Sequence, residues 1–125
     1  MPRSRATAKA AGSSFERLIA DHLAAVLDDR IDRRVRGGAV DKGDIGGVRD
    51  RDGNRVVLEC KDYSGSLKPP EWIREAHTER DNDGAAVGVV VAKRRGTTNP
   101  GAQYVLMTVD DLVTLLSGTT PKEDR

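Results

Sequence analysis

The sequence predicts a single α/β domain in which helices flank a mixed β-sheet, with the element order αβββαββα. Two observations carry this prediction. The run 86–92, Ala-Val-Gly-Val-Val-Val-Ala, is apolar on both faces, as a central buried strand should be. Stretches with helical apolar spacing lie before and after the strand-like segments. The chain has 125 residues, which is one domain by the usual length prior.

The first helix is predicted from Ser13 to about Asp28. Its apolar residues recur at the spacing i, i+3, i+4 and i+7 that places them on one helical face. Ser13 followed by Glu16 three residues later fits a capping box, so Glu16 has a structural interpretation at the helix start. His22 lies on the apolar face and is expected to be a packed, partly buried imidazole.

Both ends of the chain are predicted to lie outside the domain, which we expect to span 13–118. Residues 1–12 carry Arg3 and Arg5 among small residues and are expected to form a flexible basic arm. Such an arm is either a disordered terminus or a contact for nucleic-acid phosphates. Residues 119–125 are expected to be a polar tail.

A short basic strand is predicted at 31–36, ended by Gly37-Gly38. It contains Arg33, Arg34 and Arg36. Three arginines this close together form either a solvated edge or a surface for a DNA backbone, and the sequence favours neither.

The next segments, 41–48 and 56–61, are predicted to form a hairpin around an Asp-Gly turn. Side chains alternate between faces along a strand, so Glu59 and Lys61 project from the same face. Asp44 can reach that face if the two strands pair. Two carboxylates and a lysine converging on a sheet suit a divalent cation and an activated water. The structural alternative is a surface Glu-Lys pair with Asp44 as an ordinary strand-end residue.

A second helix is predicted over about 70–83, with Trp72, Ile73 and Ala76 facing inward and a stop at Asn82-Asp83-Gly84.

The strand 86–92 follows this helix. Three consecutive basic residues stand at the end of the strand, where they are either phosphate contacts or part of a solvated loop: Lys93, Arg94 and Arg95. A last strand is predicted at 103–108. A last helix is predicted at 109–117, with Thr108 and Asp111 as its capping signal.

Asp44 followed by Glu59-Cys60-Lys61 resembles the Asp…Glu-x-Lys signature of the PD-(D/E)xK nuclease superfamily. Gly43-Asp44-Ile45 stands where that family usually has Pro-Asp-Ile. The predicted order of elements matches the family's αβββαβ core over nearly the whole chain apart from the tails. The small size and Glu16 on the first helix are similar to archaeal-type Holliday junction resolvases and their phage relatives. The resemblance implies a restriction-endonuclease-like fold in three layers.

The resemblance also implies roles for the matching residues. Asp44, Glu59 and the backbone carbonyl of Cys60 would hold Mg²⁺, for which Mn²⁺ is expected to substitute. Lys61 would orient the attacking water or stabilise developing negative charge, and Glu16 would bind a second ion or hold one of its waters. The family often has a polar residue near the site on the next helix. Here the sequence departs from the pattern, and the nearest equivalents are three residues: Arg74, Glu75 and His77.

The function implied is a metal-dependent, structure-selective DNA endonuclease that cleaves Holliday junctions or other branched DNA as a homodimer. Two symmetry-related sites would nick both paired strands of a four-way junction. Two alternatives stay open. One is a nuclease of the same fold that acts on ordinary duplex, single strands or ends. The other is a non-catalytic nucleic-acid-binding module.

The amino-acid composition limits the binding partners and the cellular compartment that we expect. The formal net charge is only +1, so any nucleic-acid signal must lie in local clusters. Aromatic residues make up 3% of the chain, which argues against base-stacking platforms for single strands. The one cysteine fits a reducing cytosol, and no apolar run or leader predicts membrane association. We therefore expect a cytoplasmic protein, in a bacterial or archaeal host cell if it is phage-encoded.

Overall fold

A computed structural model of the chain describes residues 3–35 and 40–118. This part of the chain contains three α-helices and five strands in the predicted order. The elements are α1 Arg5–Val26, β1 Asp32–Arg33, β2 Ile45–Gly46, β3 Val56–Lys61, α2 Pro69–Asp83, β4 Val87–Ala92, β5 Tyr104–Leu106 and α3 Val109–Ser117. A 3-10 turn at Pro100–Ala102 precedes β5.

The five strands form one sheet in the order β1-β2-β3-β4-β5. Neighbours are antiparallel except for β3 and β4, which run parallel with Lys61 beside Ala92. The predicted hairpin is confirmed, with Ile45 of β2 paired to Leu58 of β3. The α/β class with a mixed sheet between helices is therefore confirmed.

Each face of the sheet is covered by a separate apolar layer. On one face, Phe15 and Ile19 of α1 pack over alternate residues of β3 and β4. On the other face, Trp72 and Ala76 of α2 pack over Val90 and its neighbours. Trp72 is 1% exposed, and burying a large apolar side chain contributes about 1.5–3 kcal/mol. The sequence periodicity of α2 and the apolar strand β4 together fix this layering.

Gly88 of β4 allows α2 to approach the sheet closely. A Cβ atom at this position would lie 2.3 Å from the backbone oxygen of Ala76. No side chain fits that space without moving the helix. The glycine in the middle of the apolar run is thus a packing requirement, and it brings the inner face of α2 down onto β3 and β4.

The first helix begins eight residues earlier than the sequence predicts. α1 starts at Arg5, and the side chain of Ser4 accepts a hydrogen bond from the Thr7 N–H as its N-cap. Ser13 lies inside the helix, so the expected capping box with Glu16 is wrong, and the expected flexible arm is helical from Arg5 onward. Alanine dominates 6–11 and has the highest helix propensity, which extends the helix beyond its apolar stripe.

The strands at the β1 edge are shorter than expected. β1 covers two residues rather than 31–36, and β2 covers two residues rather than most of 41–48. Gly47, with φ +87°, ends β2 because this backbone conformation does not continue a strand. Arg36 and Gly37-Gly38 lie outside the described residues.

At the other edge, β5 is also short, and Thr108 serves as the N-cap of α3. The predicted pair Thr108 and Asp111 forms a full capping box, which confirms the start of α3. The predicted tail, 119–125, lies outside the described residues. Within the described part of the chain, the helices lack the combined length and apolarity needed to cross a bilayer.

Candidate metal centre

The candidate site lies just before the first residue of β2, beside the C-terminal end of β3. The Asp44 N–H donates to the Leu58 carbonyl at 2.9 Å, which extends the pairing by one residue. The Asp44 Oδ2 atom then accepts a hydrogen bond from the Cys60 N–H at 2.7 Å. This contact, between a side chain of one strand and the backbone of the next, holds the carboxylate of Asp44 beside β3.

A tight turn before β2 sets the direction of Asp44. The Gly43 N–H donates to Asp41 Oδ1 at 2.9 Å, and Gly43 has φ +96°. A Cβ on Gly43 would lie 2.7 Å from the Val57 side chain. Glycine is therefore required at this position, because both the backbone angle and the space exclude a larger residue.

Asp44 and Glu59 form a closely coupled pair of buried carboxyls. Burial raises the pKa of Asp44 to about 8, and the adjacent Glu59 carboxylate adds to this rise. Burial also raises the pKa of Glu59 to about 8, with a further contribution from Glu79. Carboxyls this close cannot all ionise without a compensating positive charge. The pair therefore favours a proton or a cation between its oxygens.

Lys61 stands at the end of the same strand and is held by α2. Its Nζ donates to Glu75 Oε2 at 2.6 Å. Burial lowers the pKa of Lys61. The hydrogen bond with Glu75 and the negative charge of Glu59 raise it by more than burial lowers it, so the pKa of Lys61 lies above its ordinary value. Lys61 is thus a fixed ammonium group, and Glu75 occupies the place on the second helix that the sequence left undecided.

Glu16 faces the site from α1. It lines a cavity of about 570 Å³ together with Asp44, Glu59 and Lys61. Its Oε1 atom also accepts hydrogen bonds from Arg33 at 3.1 and 3.2 Å. The structure therefore brings the four sequence-predicted catalytic side chains to one cavity. Their catalytic role stays a prediction.

The carbonyl of Cys60 is the fifth predicted group. The Lys61 carbonyl accepts from the Lys93 N–H and so points toward β4. Because successive carbonyls of a strand alternate in direction, the Cys60 carbonyl points the other way, toward the side where Asp44 lies. Carboxylates plus a backbone carbonyl form an all-oxygen donor set that suits Mg²⁺.

Three of the predicted DNA-contacting arginines border the site. Arg3 donates to the backbone and carboxylate of Asp62 at 2.8 and 2.9 Å and lines the same cavity as Asp44. Arg33 and Arg34 line a second cavity of about 660 Å³ that also includes Asp44. Each of these arginines at the border of the acidic centre is paired with an acid: Arg3 with Asp62, Arg33 with Glu16 and Arg34 with Asp83. Contact with DNA stays a prediction for each of them.

The other described basic residues that were predicted to contact DNA do not line these two cavities. Lys93 donates to two carbonyls of its own loop at 2.6 Å, and Arg95 donates to the Ser64 carbonyl at 3.0 Å. Arg94 lies 5.5 Å from the ring centre of Tyr104, and Arg5 is exposed on α1. Lys93 and Arg95 thus stabilise the loops that follow β3 and β4. A role in DNA contact is untested for these residues.

Two acidic residues at the centre were missed from the sequence. Asp41 in the turn and Glu79 on α2 place carboxylate oxygens within 4.8 Å of one another and of Glu59. Glu79 follows Trp72 and Ala76 at the spacing i+7 and i+3, so it stands in the buried stripe of its helix. A charged residue in an apolar stripe was the signal that could have found it.

His77 and Arg74, the other candidates on α2, do not join the centre. His77 Nε2 lies 2.9 Å from Asp111 Oδ2 and links α2 to α3, while Arg74 is exposed.

No family model, curated protein or solved structure matches the chain. The geometry of the acidic cluster and Lys61 therefore carries the functional reasoning.

Proposed function

We propose that the protein is a Mg²⁺-dependent endonuclease of the restriction-endonuclease-like fold that hydrolyses DNA phosphodiester bonds, with a preference for branched DNA such as Holliday junctions. One observation carries the proposal. Asp44 is far from Glu59 and Lys61 along the sequence, yet all three line a single cavity at the end of β3. A surface Glu-Lys pair would not need a buried aspartate hydrogen-bonded beside it.

The residues present fit a magnesium ion. All the donors are oxygens, and two of the carboxylates are buried next to each other, which is costly without a cation. Asp44 and Glu59, with the Cys60 carbonyl, would hold the ion. When bound, Mg²⁺ supplies positive charge that polarises a phosphoryl oxygen and lowers the pKa of a coordinated water.

The chain's own residues would do the rest by position and charge. The Cys60 N–H fixes the orientation of the Asp44 carboxylate. The hydrogen bond with Glu75 and the negative charge of Glu59 raise the pKa of Lys61 despite its burial, which favours its charged form over the free amine that a general base requires. Lys61 would instead donate hydrogen bonds, either to the attacking water or to the phosphoryl oxygen on which negative charge develops.

Several features support a polyanionic substrate. The acidic centre opens to two cavities bordered by Arg3, Arg33 and Arg34. Arginine suits phosphate oxygens because its planar group donates several hydrogen bonds. Phosphate contacts position a protein on DNA without reading its sequence, which is compatible with recognition of DNA by shape. The preference for branched DNA and a homodimeric assembly rest on the resemblance to junction resolvases.

A cleavage panel tests the proposal. Four-way junction, flap, linear duplex and single-stranded DNA of matched sequence are incubated with the protein, with Mg²⁺ or with a chelator. We expect Mg²⁺-dependent cleavage that is fastest on the junction and absent in the Glu59→Gln variant.

The other outcomes are equally informative. Equal rates on linear duplex and junction would remove the branched-DNA part of the proposal and leave a general nuclease. Intact DNA in every reaction, with Mg²⁺ or Mn²⁺ present, would overturn the enzymatic function and favour a binding module.

A further inference from the structure

The acidic centre extends beyond the residues that the proposed reaction uses. Asp44 and Glu59 account for the predicted magnesium ligands, but Asp41 and Glu79 continue the row on the side of α2. One carboxylate oxygen from each of Asp41, Glu59 and Glu79 lies within 4.8 Å of the other two. These residues come from the turn before β2, from β3 and from α2, so the row joins three separate elements.

Glu79 is the strongest sign that a ligand belongs here. Its side chain is 4% exposed, and its Oε2 atom is buried with no hydrogen-bond partner. Leaving a buried charged acceptor without a donor destabilises the fold. Its neighbours Glu59 and Asp41 are acceptors too, so neither relieves this cost when ionised.

The spacing matches a hard divalent cation. Such ions bond carboxylate oxygens at about 2.1 Å for Mg²⁺ and up to about 2.6 Å for Ca²⁺. Opposed ligands of one ion are therefore about 4.2–5.2 Å apart. Oxygens that all lie within 4.8 Å can thus bind the same ion. Oxygen-only ligands exclude a preference for soft metals.

We propose that Asp41, Glu59 and Glu79 form a second divalent-cation site, which would share Glu59 with the magnesium site proposed at Asp44. The second ion is structural. It ties α2 and the turn at Asp41 to β3. The Asn82 side chain already donates to the Asp41 backbone carbonyl at 2.8 Å, one turn beyond Glu79 on the same helix.

The site deepens the proposed function but does not depend on cleavage. Asp41 begins the turn whose Gly43 directs Asp44 toward the catalytic centre. An ion on Asp41 would therefore stabilise the position of Asp44 as well as the docking of α2. The second site is expected to affect metal binding and the stability of the fold, and both can be measured in the absence of DNA.

Calorimetric titration of the full chain with Mn²⁺ tests the site, with thermal unfolding as a second readout. We expect two ions per chain in the wild type. Glu79→Gln should abolish or weaken one binding event at least tenfold, and Asp44→Asn should do the same to the other. Asp81→Asn is the matched control, because Asp81 lies on the same helix with a side chain 70% exposed, and it should keep both events.

Three results would overturn the second site: a single ion in the wild type, two unchanged binding events in Glu79→Gln, or equal losses in Asp81→Asn. If Glu79→Gln does not fold, Asp41→Asn in the turn replaces it with the same expectation. The two proposals fail separately. Two ions without cleavage would remove the nuclease and keep the site, whereas cleavage with one ion would do the reverse.

Discussion

Two carboxylates in this protein are buried to the same extent but differ in their hydrogen-bond partners. Asp111 at the start of α3 and Glu79 on α2 are each 4% exposed. Asp111 accepts from the Thr108 N–H at 3.0 Å and lies 2.9 Å from the His77 ring. Glu79 has a buried oxygen without a donor and faces Glu59. Burial alone therefore does not identify a functional acid.

The difference lies in what surrounds each carboxylate. Asp111 is satisfied by groups that its own capping box and α2 supply, so the fold explains it completely. Glu79 is surrounded by acids from a turn and a strand, and burial together with the neighbouring Asp41 and Asp44 charges raises its pKa to about 7. A carboxylate placed in this way destabilises the fold unless a proton or a cation is present. Substitutions can distinguish buried acids that the fold satisfies, such as Asp111, from buried acids that need a proton or a cation, such as Glu79.

The largest effect is expected at the acidic centre itself. Asp44→Asn removes one negative oxygen but retains a group that can accept from the Cys60 N–H. Cleavage should fall on the order of 10²–10³-fold or more, as for the loss of a group that stabilises transition-state charge. DNA affinity, measured by equilibrium binding, should be kept or tightened because repulsion of phosphates decreases. A variant with wild-type cleavage would place Asp44 with Asp111 among purely structural acids.

The reciprocal change at α3 should affect stability alone. Asp111→Ala leaves the Thr108 N–H without an acceptor and removes the contact with His77. Loss of a helix cap costs about 0.5–2 kcal/mol, and the buried unpaired donor adds to this. Denaturant unfolding should report about 1–3 kcal/mol, with cleavage unchanged.

Asp110→Ala is the control for this prediction. Asp110 is the exposed neighbour in the same helical turn, and its loss should cost less than about 0.5 kcal/mol. A fall in cleavage for Asp111→Ala at unchanged stability would contradict the structural role.

The two kinds of acid should also differ in how stability depends on pH. The pKa values of Asp44, Glu59 and Glu79 rise on folding to about 8, 8 and 7. The native state therefore binds more protons than the unfolded state between about pH 4 and 8, and stability decreases as pH rises through this range. Unfolding in a chelator should show this decrease, and saturating Mn²⁺ should reduce it.

Two checks accompany the pH experiment. The pKa of Asp28, lowered to about 2 by its hydrogen bonds with Arg30, acts in the opposite direction but only below about pH 4. Glu79→Gln should flatten the decrease between pH 4 and 8. A chelated protein whose stability rises across that interval would show that the buried carboxyls are stabilised by partners, as Asp111 is.

The sequence predicted the order of all eight elements because each has a local signal: the stripe of α2, the apolar run of β4 and the capping box of α3. It also predicted that Asp44 lies beside Glu59, since pairing of neighbouring strands follows from a short turn. It failed where the signal is not local. Alanine-rich residues extended α1 past a convincing cap at Ser13. Glu79 meets Asp41 only after α2 docks, which no spacing along the chain reveals.

The smallest expected effect concerns Glu16, which lies between the two kinds of acid. It lines the cavity with Asp44, yet it has a cationic partner in Arg33 at 3.1 Å. A half-exposed ion pair contributes at most about 1 kcal/mol, so Glu16→Gln should barely change unfolding. We expect cleavage to fall about tenfold, as for residues that support a metal site indirectly. Asp21→Asn, an exposed acid on the same helix, should leave the rate unchanged. If Glu16→Gln matches that control in single-turnover cleavage, Glu16 serves the ion pair with Arg33 and takes no part in the reaction.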